Sequence, residues 1–322
     1  MSDLKISLIV PAYNEGENLI RMVEAVQQEM EQLHYQYELI FIDDGSSDDS
    51  VYILQGLASS NKTVKYVTFT RNFGKESAIL AGLQNATGDA VILMDADLQH
   101  PPIIIKKLIQ GFEEGYDQVI AKRDRKGDSK IRSFFSKLYY RCVNNAIDVQ
   151  LADGEGDFRL LSRKAVSALL TLSEGHRFSK GLYSWIGLDR KVITYENQTR
   201  ECGESKWTFS KLLNYGIDGI VSFNHKPLRI CFYTGFLILM LSLIYISITF
   251  IQVLKDGIAV PGYFTTISAV LFIGGIQLVC LGIIGEYIGR IYYETKKRPH
   301  YLVEQTNIVL ATERKREMHE VI

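Results

Sequence analysis

Cysteine is scarce and unpaired in this chain of 322 residues. Its four cysteines, Cys142, Cys202, Cys231 and Cys280, include no CxxC spacing. That excludes the common zinc modules and a disulfide framework, and it fits a soluble part kept in a reducing compartment. A surplus of charge is also missing. The formal net charge is −1, so no basic field marks the chain as a nucleic-acid binder. No GxGxxG and no Walker A pattern occurs, which disfavours the usual dinucleotide and P-loop modes of phosphate binding. The opening LKISLIVPAY has neither the cleavage site nor the flanks of a signal peptide, and it reads instead as a buried strand.

Long uncharged runs, by contrast, are concentrated near the C-terminus. Residues Ile230 to Val253 carry no charge. At about 1.5 Å per helical residue they reach roughly 36 Å, enough to span the ~30 Å core of a bilayer. A second uncharged stretch runs from Gly257 to Gly285. The expectation is two membrane helices, 230–254 and 262–289. Lys226 and Arg229 precede the first span, and Arg290, Lys296, Lys297 and Arg298 follow the second. The positive-inside rule then places both flanks, and with them both termini, on the cytoplasmic side of the cell membrane. Residues 205–229 read as an amphipathic juxtamembrane segment and 290–322 as a polar cytoplasmic tail. Gly274, Gly275, Gly282, Gly285 and Gly289 suit close helix packing in lipid.

The first 120 residues alternate between apolar runs and helical patterns. LKISLIVPAY, YELIFIDD, VKYVTFTRN and AVILMDADLQ read as strands, and the intervening segments read as helices. Such alternation argues for an α/β domain with a parallel sheet covered on both faces. Polar residues gather where these strands end: Asn14 and Glu15, Asp43 and Asp44, Arg71 and Asn72, Asp95 and Asp97. Open α/β sheets bind ligands beyond the carboxyl ends of their strands, so the four ends point to one site.

Within ILMDADLQHPP, a hydrophobic run leads straight into two aspartates. Carboxylates spaced i, i+2 beyond a strand converge on one cation if the chain turns between them. Hard oxygen donors suit Mg²⁺ or Mn²⁺, which keep positions open for substrate phosphates. By itself DxD is weak evidence, because acidic strand ends are often solvated turns or helix caps. His100 could touch a phosphate, but it is read first as shaping the turn before Pro101.

In order and spacing, PAYNEGENL, IDDGSSDDS, TRNFGKESAILAGL and MDADLQHPP resemble the nucleotide-sugar-binding half of family-two glycosyltransferases with the GT-A fold. GDFRLLSRKA and RECGESKWTF resemble the polyprenyl-phosphate branch of that family, which includes bactoprenol glucosyltransferases and dolichol-phosphate mannose synthases. The resemblance runs from about residue 4 to 298. It implies a Rossmann-like GT-A catalytic domain over 1–204 followed by the two membrane helices.

The resemblance also implies roles. Pro11, Ala12, Tyr13 and Glu15 would lie against the nucleotide, and Asp43 or Asp44 would hydrogen-bond the uracil. Arg71, Lys75 and Asp95 complete the expected nucleotide-sugar set. Asp95 and Asp97 would hold Mg²⁺ or Mn²⁺, with Gln99 reaching the same ion. Asp157 and Asp97 are the expected catalytic residues. Arg123, Arg132, Ser136, Arg159, Arg200, Ser205 and Lys206 would contact diphosphate or lipid phosphate. The basic segment from Lys122 to Arg141 fits an approach to lipid phosphate or anionic headgroups, or else a solvated helix face. A phosphate monoester with a second pKa near ~6 is already largely dianionic at neutral pH, so it needs little help from a base. Asp157 therefore either orients the reacting groups or merely pairs with Arg159.

The reaction expected from this resemblance is inverting transfer of one hexose, glucose or N-acetylglucosamine, from a UDP-sugar to undecaprenyl phosphate. The resemblance further implies a homotetramer. The rivals are a processive polysaccharide synthase and a non-catalytic membrane adaptor that binds nucleotide sugar. Trp207 stands where processive synthases carry a QxxRW box, but the Gln and Arg are absent, which favours single transfer.

Overall fold

The computed structural model describes residues 4–124, 144, 155–172, 174–175, 177–195, 226–256 and 262–309. Its centre is an eight-stranded mixed sheet in the order β7-β5-β6-β4-β1-β2-β3-β8. The strands are β1 (Lys5–Ala12), β2 (Gln36–Asp43), β3 (Val64–Phe69), β4 (Ala90–Leu93), β5 (Gln118–Arg123), β6 (Glu155–Ser162), β7 (Arg190–Tyr195) and β8 (Val303–Thr306). Helices α1 (Gly16–Leu33), α2 (Ser50–Ser60), α3 (Lys75–Asn85) and α4 (Ile104–Glu113) alternate with the first strands. The short helices α5 (Arg163–Thr171) and α6 (Ser179–Trp185) follow β6, and the long helices α7 (Lys226–Asp256) and α8 (Tyr263–Lys296) come last.

Strand alternation splits the core into two layers. Ile6, Leu8 and Val10 of β1 and Leu39 and Phe41 of β2 pack on the side of α1 and α4. Ile9 of β1 and Ile40 and Ile42 of β2 point the other way, toward α3 and α5. Helix α1 reaches its layer because Leu19, Met22, Val23, Val26 and Met30 recur at helical spacing along one face. Helix α3 lies almost in contact with the sheet: a Cβ on Gly82 would come within 2.3 Å of Ile9 Cγ2.

The four strands read from the sequence are present and mutually parallel, with β1 flanked by β2 and β4. The chain runs outward from β1 to β3 and then crosses back to β4 on the other side of β1. That reversal opens a crevice beyond the carboxyl ends of β1 and β4. β4 is shorter than expected; it ends at Leu93, and only the Met94 N–H, donating to Ile9 O at 3.1 Å, prolongs the pairing.

The sheet is not wholly parallel. β6 inserts antiparallel between β4 and β5, with Leu93 opposite Arg159. Two further steps along each strand place Asp95 opposite Asp157. An antiparallel insertion is thus what brings a residue from far along the chain to the DxD turn.

Part of the polar C-terminal segment is ordered against the sheet. After α8 the chain returns to the eight-stranded sheet, and β8 pairs antiparallel with β3. The Tyr301 ring stacks on Phe69 at 4.7 Å, and its hydroxyl hydrogen-bonds Gln84 Oε1 at 2.5 Å. Glu294 of α8 accepts a 2.6 Å bond from the Gly175 N–H, a second tie to the α/β domain.

Helices α7 and α8 cover the two apolar stretches and pack against each other. Among the described residues one segment, Phe272–Lys296 of α8, is long and apolar enough to cross a membrane by length and composition. Tyr233–Tyr245 of α7 is a shorter apolar stretch. Large hydrophobic side chains stand exposed along both, among them Phe236, Leu237, Ile244, Phe272, Leu278 and Ile288.

Candidate active site

The loops after β1, β2 and β3 are zipped together by short polar contacts. Asn14 adopts a left-handed backbone (φ 53°), donates its N–H to Ser46 Oγ at 2.8 Å and accepts the Ser47 N–H at 2.8 Å. Asp48 accepts the Gly16 and Ser50 N–H groups, and Glu15 accepts from the Asn18 amide at 2.7 Å. Gly45 makes the close approach to β3 possible. Its φ is +68°, and a Cβ there would lie 2.3 Å from the Arg71 carbonyl carbon. Pro11 and Ala12 close β1, and Tyr13 stands 39% exposed just beyond it.

Asp43 and Asp44 differ more than their adjacency suggests. Asp44 accepts the Phe73 N–H at 2.7 Å and the Gly74 N–H with both oxygens, so its carboxylate is consumed in holding the loop into α3. Asp43 accepts the Ser46 N–H with Oδ2, while its buried Oδ1 has no hydrogen-bond partner among the described residues. Burial pushes both carboxyls up, against the pull of these hydrogen bonds. Arg71 lies beside them with its guanidinium over the Phe73 ring at 4.2 Å.

Lys75, the first residue of α3, is the hub of the crevice. Its ammonium lies 2.5 Å from Asp95 Oδ1 and 2.9 Å from Asp157 Oδ2, joining the end of β4 to the start of β6. The lysine is 43% exposed at its side chain, so it sits at the mouth of the site rather than beneath it. Burial alone would push the Asp157 carboxyl up. Lys75 and Lys180, with Arg159, overcome it and hold Asp157 far below the usual carboxylate range. Asp95 follows the same pattern: burial raises it, and Lys75 and His100 more than compensate. Reciprocally, the two carboxylates outweigh burial and lift the Lys75 ammonium.

The DxD turn is built around Leu98, whose φ of 56° reverses the chain. A left-handed backbone at such a residue costs about 1–2 kcal/mol. Asp97 Oδ1 accepts the Gln99 N–H at 3.2 Å, and His100 Nδ1 meets the Asp95 N–H at 3.2 Å. His100 stacks on Phe158 at 4.6 Å, so it shapes the turn, as the sequence suggested.

Arg159 lies buried below this layer. It donates to Gly156 O at 2.6 Å and sits 3.8 Å over the Tyr183 ring, while the cation beside Asp157 is Lys75. Arg123 closes β5. Arg132, Ser136, Arg200, Ser205 and Lys206, with most of the basic 122–141 segment and the 205–225 stretch, fall outside the described residues.

Sequence reasoning missed Glu76 and Ser179. Glu76 accepts the Ser179 N–H at 3.1 Å and a very short bond from the Ser179 hydroxyl. The one signal was a second charge beside Lys75 at the start of an otherwise apolar helix.

Asp95, Asp97 and Asp157 gather at the mouth of the crevice, where Lys75 contacts two of them. Among the described residues no three His, Cys, Asp or Glu side chains converge as a ready-made metal cage. Two carboxylates with an amide oxygen nonetheless suit Mg²⁺ or Mn²⁺, which take one or two protein carboxylates and complete their shell with water and phosphate. The donor chemistry fits such an ion.

A parallel four-strand core, a reversal point beside β1 and acids at the DxD turn define a Rossmann-like α/β domain of the GT-A kind. The sequence pattern of glycosyl transferase family 2 matches residues 7–170, and the chain belongs to this family. It is accordingly a hexosyltransferase. Residues 226–291 match a second pattern, the GtrB C-terminal hairpin, which coincides with α7 and most of α8. A Bacillus subtilis glycosyltransferase, CsbB, is 63% identical over 94% of this chain and 92% of its own. The bactoprenol glucosyl transferase of Shigella phage SfX is 41% identical over 94% of this chain and 99% of its own. Glucosyl-3-phosphoglycerate synthase from Mycobacterium tuberculosis is 20% identical over 68% of this chain and 78% of its own, with a TM-score of 0.46, too loose to bear on chemistry.

Proposed function

We propose that the protein transfers a single hexose from a UDP-sugar to undecaprenyl phosphate at the cytoplasmic face of a membrane, with inversion at the anomeric carbon. Glucose is the first candidate sugar and N-acetylglucosamine the second. The observation that carries this reading is the convergence of Lys75, Asp95 and Asp157 beside the DxD turn, in a chain that continues into an apolar helical hairpin. The 41% identity to a bactoprenol glucosyl transferase supports the acceptor. The exposed apolar side chains of α7 and α8 support burial of both helices in lipid, the second span included.

In this reading the nucleotide lies across the ends of β1 and β2. Asp43 Oδ1, buried and unpartnered among the described residues, is the acceptor suited to the uracil imide N–H, while Asp44 holds the loop. Asp95, Asp97 and Gln99 would hold Mg²⁺ or Mn²⁺. Bound there, the ion would offset charge on the departing diphosphate. Arg71 and Lys75 add fixed positive charge at the crevice, aimed where the leaving group gains negative charge.

Asp157 is held ionised by its cationic neighbours, which makes it a weak base. That suits an acceptor that arrives as a phosphate dianion and needs no proton removed. Its role is then to orient Lys75 and to face the positive charge that develops on the sugar ring. Attack by a phosphate oxygen on the anomeric carbon, opposite the diphosphate, forms one C–O bond as another breaks. UDP leaves with the bonding electron pair.

The test is incubation of the purified full chain with a panel of radiolabelled UDP- and GDP-sugars, Mn²⁺ and undecaprenyl phosphate. A chloroform-soluble product bearing one sugar is expected from a UDP-hexose. A long polymer, or no product with any donor, refutes the proposal. Asp97→Asn should lower turnover by roughly 100-fold or more, since a charged group at the reacting centre is worth several kcal/mol. Undiminished turnover in that variant removes the metal assignment.

A further inference from the structure

Lys75 bridges acids from two different elements, and a flexible lysine does this only if its own backbone is fixed. One anchor is clear: Asp44 grips the Phe73 and Gly74 N–H groups immediately before it. The second lies on the next residue. Glu76 reaches from the first turn of α3 to the first turn of α6, where it accepts both the N–H and the hydroxyl of Ser179. Ser179 is buried, and α6 is itself pinned to the sheet. Its Tyr183 carbonyl accepts from Gln118 of β5 at 3.0 Å, and its Tyr183 ring lies under Arg159 of β6.

We propose that Glu76 is a positioning residue: by clamping α3 to α6 it holds Lys75 in register with Asp95 and Asp157. The inference rests on the reading of this crevice as the transfer site, but the clamp itself is a structural fact of the ground state. The carboxyl is an unusual choice for the place. Burial, aided by the nearby Asp157, pushes it up to about 7, so it is retained despite an environment that disfavours its charge. An acceptor oxygen, rather than a negative charge, is what Ser179 requires. The amide of a glutamine can supply that oxygen, and a methyl group cannot.

The clamp is tested on the purified full chain by N-acylation of its lysines with an acetyl ester, read by peptide mass spectrometry. Exposed Lys62 serves as internal reference. A lysine whose nitrogen is held between two carboxylates presents little of it to the reagent, so it acylates slowly. In Glu76→Ala the Lys75 to Lys62 rate ratio should rise by roughly fivefold, and in Ser179→Ala by about twofold, while Glu76→Gln keeps the wild-type ratio. Ser179→Ala guards against failure of Glu76→Ala to fold.

An unchanged ratio in both alanine variants overturns the inference. So does a lowered melting temperature without any change in the ratio, which marks Glu76 as a packing residue only. Sugar transfer measured in parallel should show kcat falling roughly tenfold in Glu76→Ala with KM for the UDP-sugar nearly constant. If the wild type transfers no sugar while the labelling ratios change as expected, the clamp stands and the proposed function falls.

Discussion

Glu38 lies at the opposite end of the sheet from the site, and its removal is a quantitative test of the fold. Its carboxylate is buried and gathers donors from the two neighbouring strands and a loop. Ser7 Oγ approaches at 2.6 Å, Thr87 N at 2.7 Å, Thr87 Oγ1 at 2.8 Å and Lys5 Nζ at 3.1 Å, and Lys65 makes a still shorter contact. Burial alone would raise this carboxyl. Hydrogen bonds from Lys65, Ser7 and Thr87 reverse that and lower it to about 2, against an ordinary 4.5. A gap of roughly 2.5 units at 1.36 kcal/mol each is about 3 kcal/mol at neutral pH. Partial exposure of the two lysines trims it, so ~2–3 kcal/mol is expected.

Because the folded carboxyl titrates below the unfolded one, this stability is complete above pH 4.5 and is lost as pH falls toward 2. Glu38→Gln keeps the shape and removes the charge. At pH 7 its melting temperature should fall by roughly 5–10 °C, since each kcal/mol moves a domain of this size by about 2–4 °C. The gap between variant and wild type should shrink as pH is lowered below 4.5. Equal melting temperatures at pH 7, or a gap that persists undiminished into the acid range, would refute the electrostatic account. Scanning calorimetry of both proteins across pH decides it.

Two other substitutions probe the crevice and the C-terminal strap. Lys75→Met leaves Asp95 and Asp157 without their shared cation, so their carboxyls rise, and the acid limb of the kcat/KM profile should move to higher pH with a loss of roughly 100-fold or more. An unmoved limb would show that Lys75 does not govern those acids. Tyr301→Ala removes the stack on Phe69 and the bond to Gln84 and should cost about 2–3 kcal/mol, read as a lower unfolding midpoint in denaturant. No change there would mean that the strap contributes nothing to the catalytic domain.

Much of the site was readable in one dimension because open α/β sheets place function where strands end. The apolar runs of β1 to β4, each closing on polar residues, located Asp43, Asp44, Arg71, Asp95 and Asp97 at one edge before any contact was known. The apolar stretches near the C-terminus likewise announced two long helices. Periodicity and local composition suffice for such features because neighbouring residues create them.

The remainder depends on pairings between distant segments. Whether Asp43 or Asp44 keeps a free oxygen was decided by which of them the β3–α3 loop folds over. The partner of Asp157 could not be chosen from sequence, since the antiparallel insertion of β6 alone sets it opposite Asp95, within reach of Lys75. Nor did anything in the polar segment after α8 mark it as a strand. Val303–Thr306 become one because β3 offers an open edge whose backbone groups need partners. Local chemistry declared what each piece of chain could become, and only the packed sheet chose the partners, because those interactions join residues that are far apart until the chain folds.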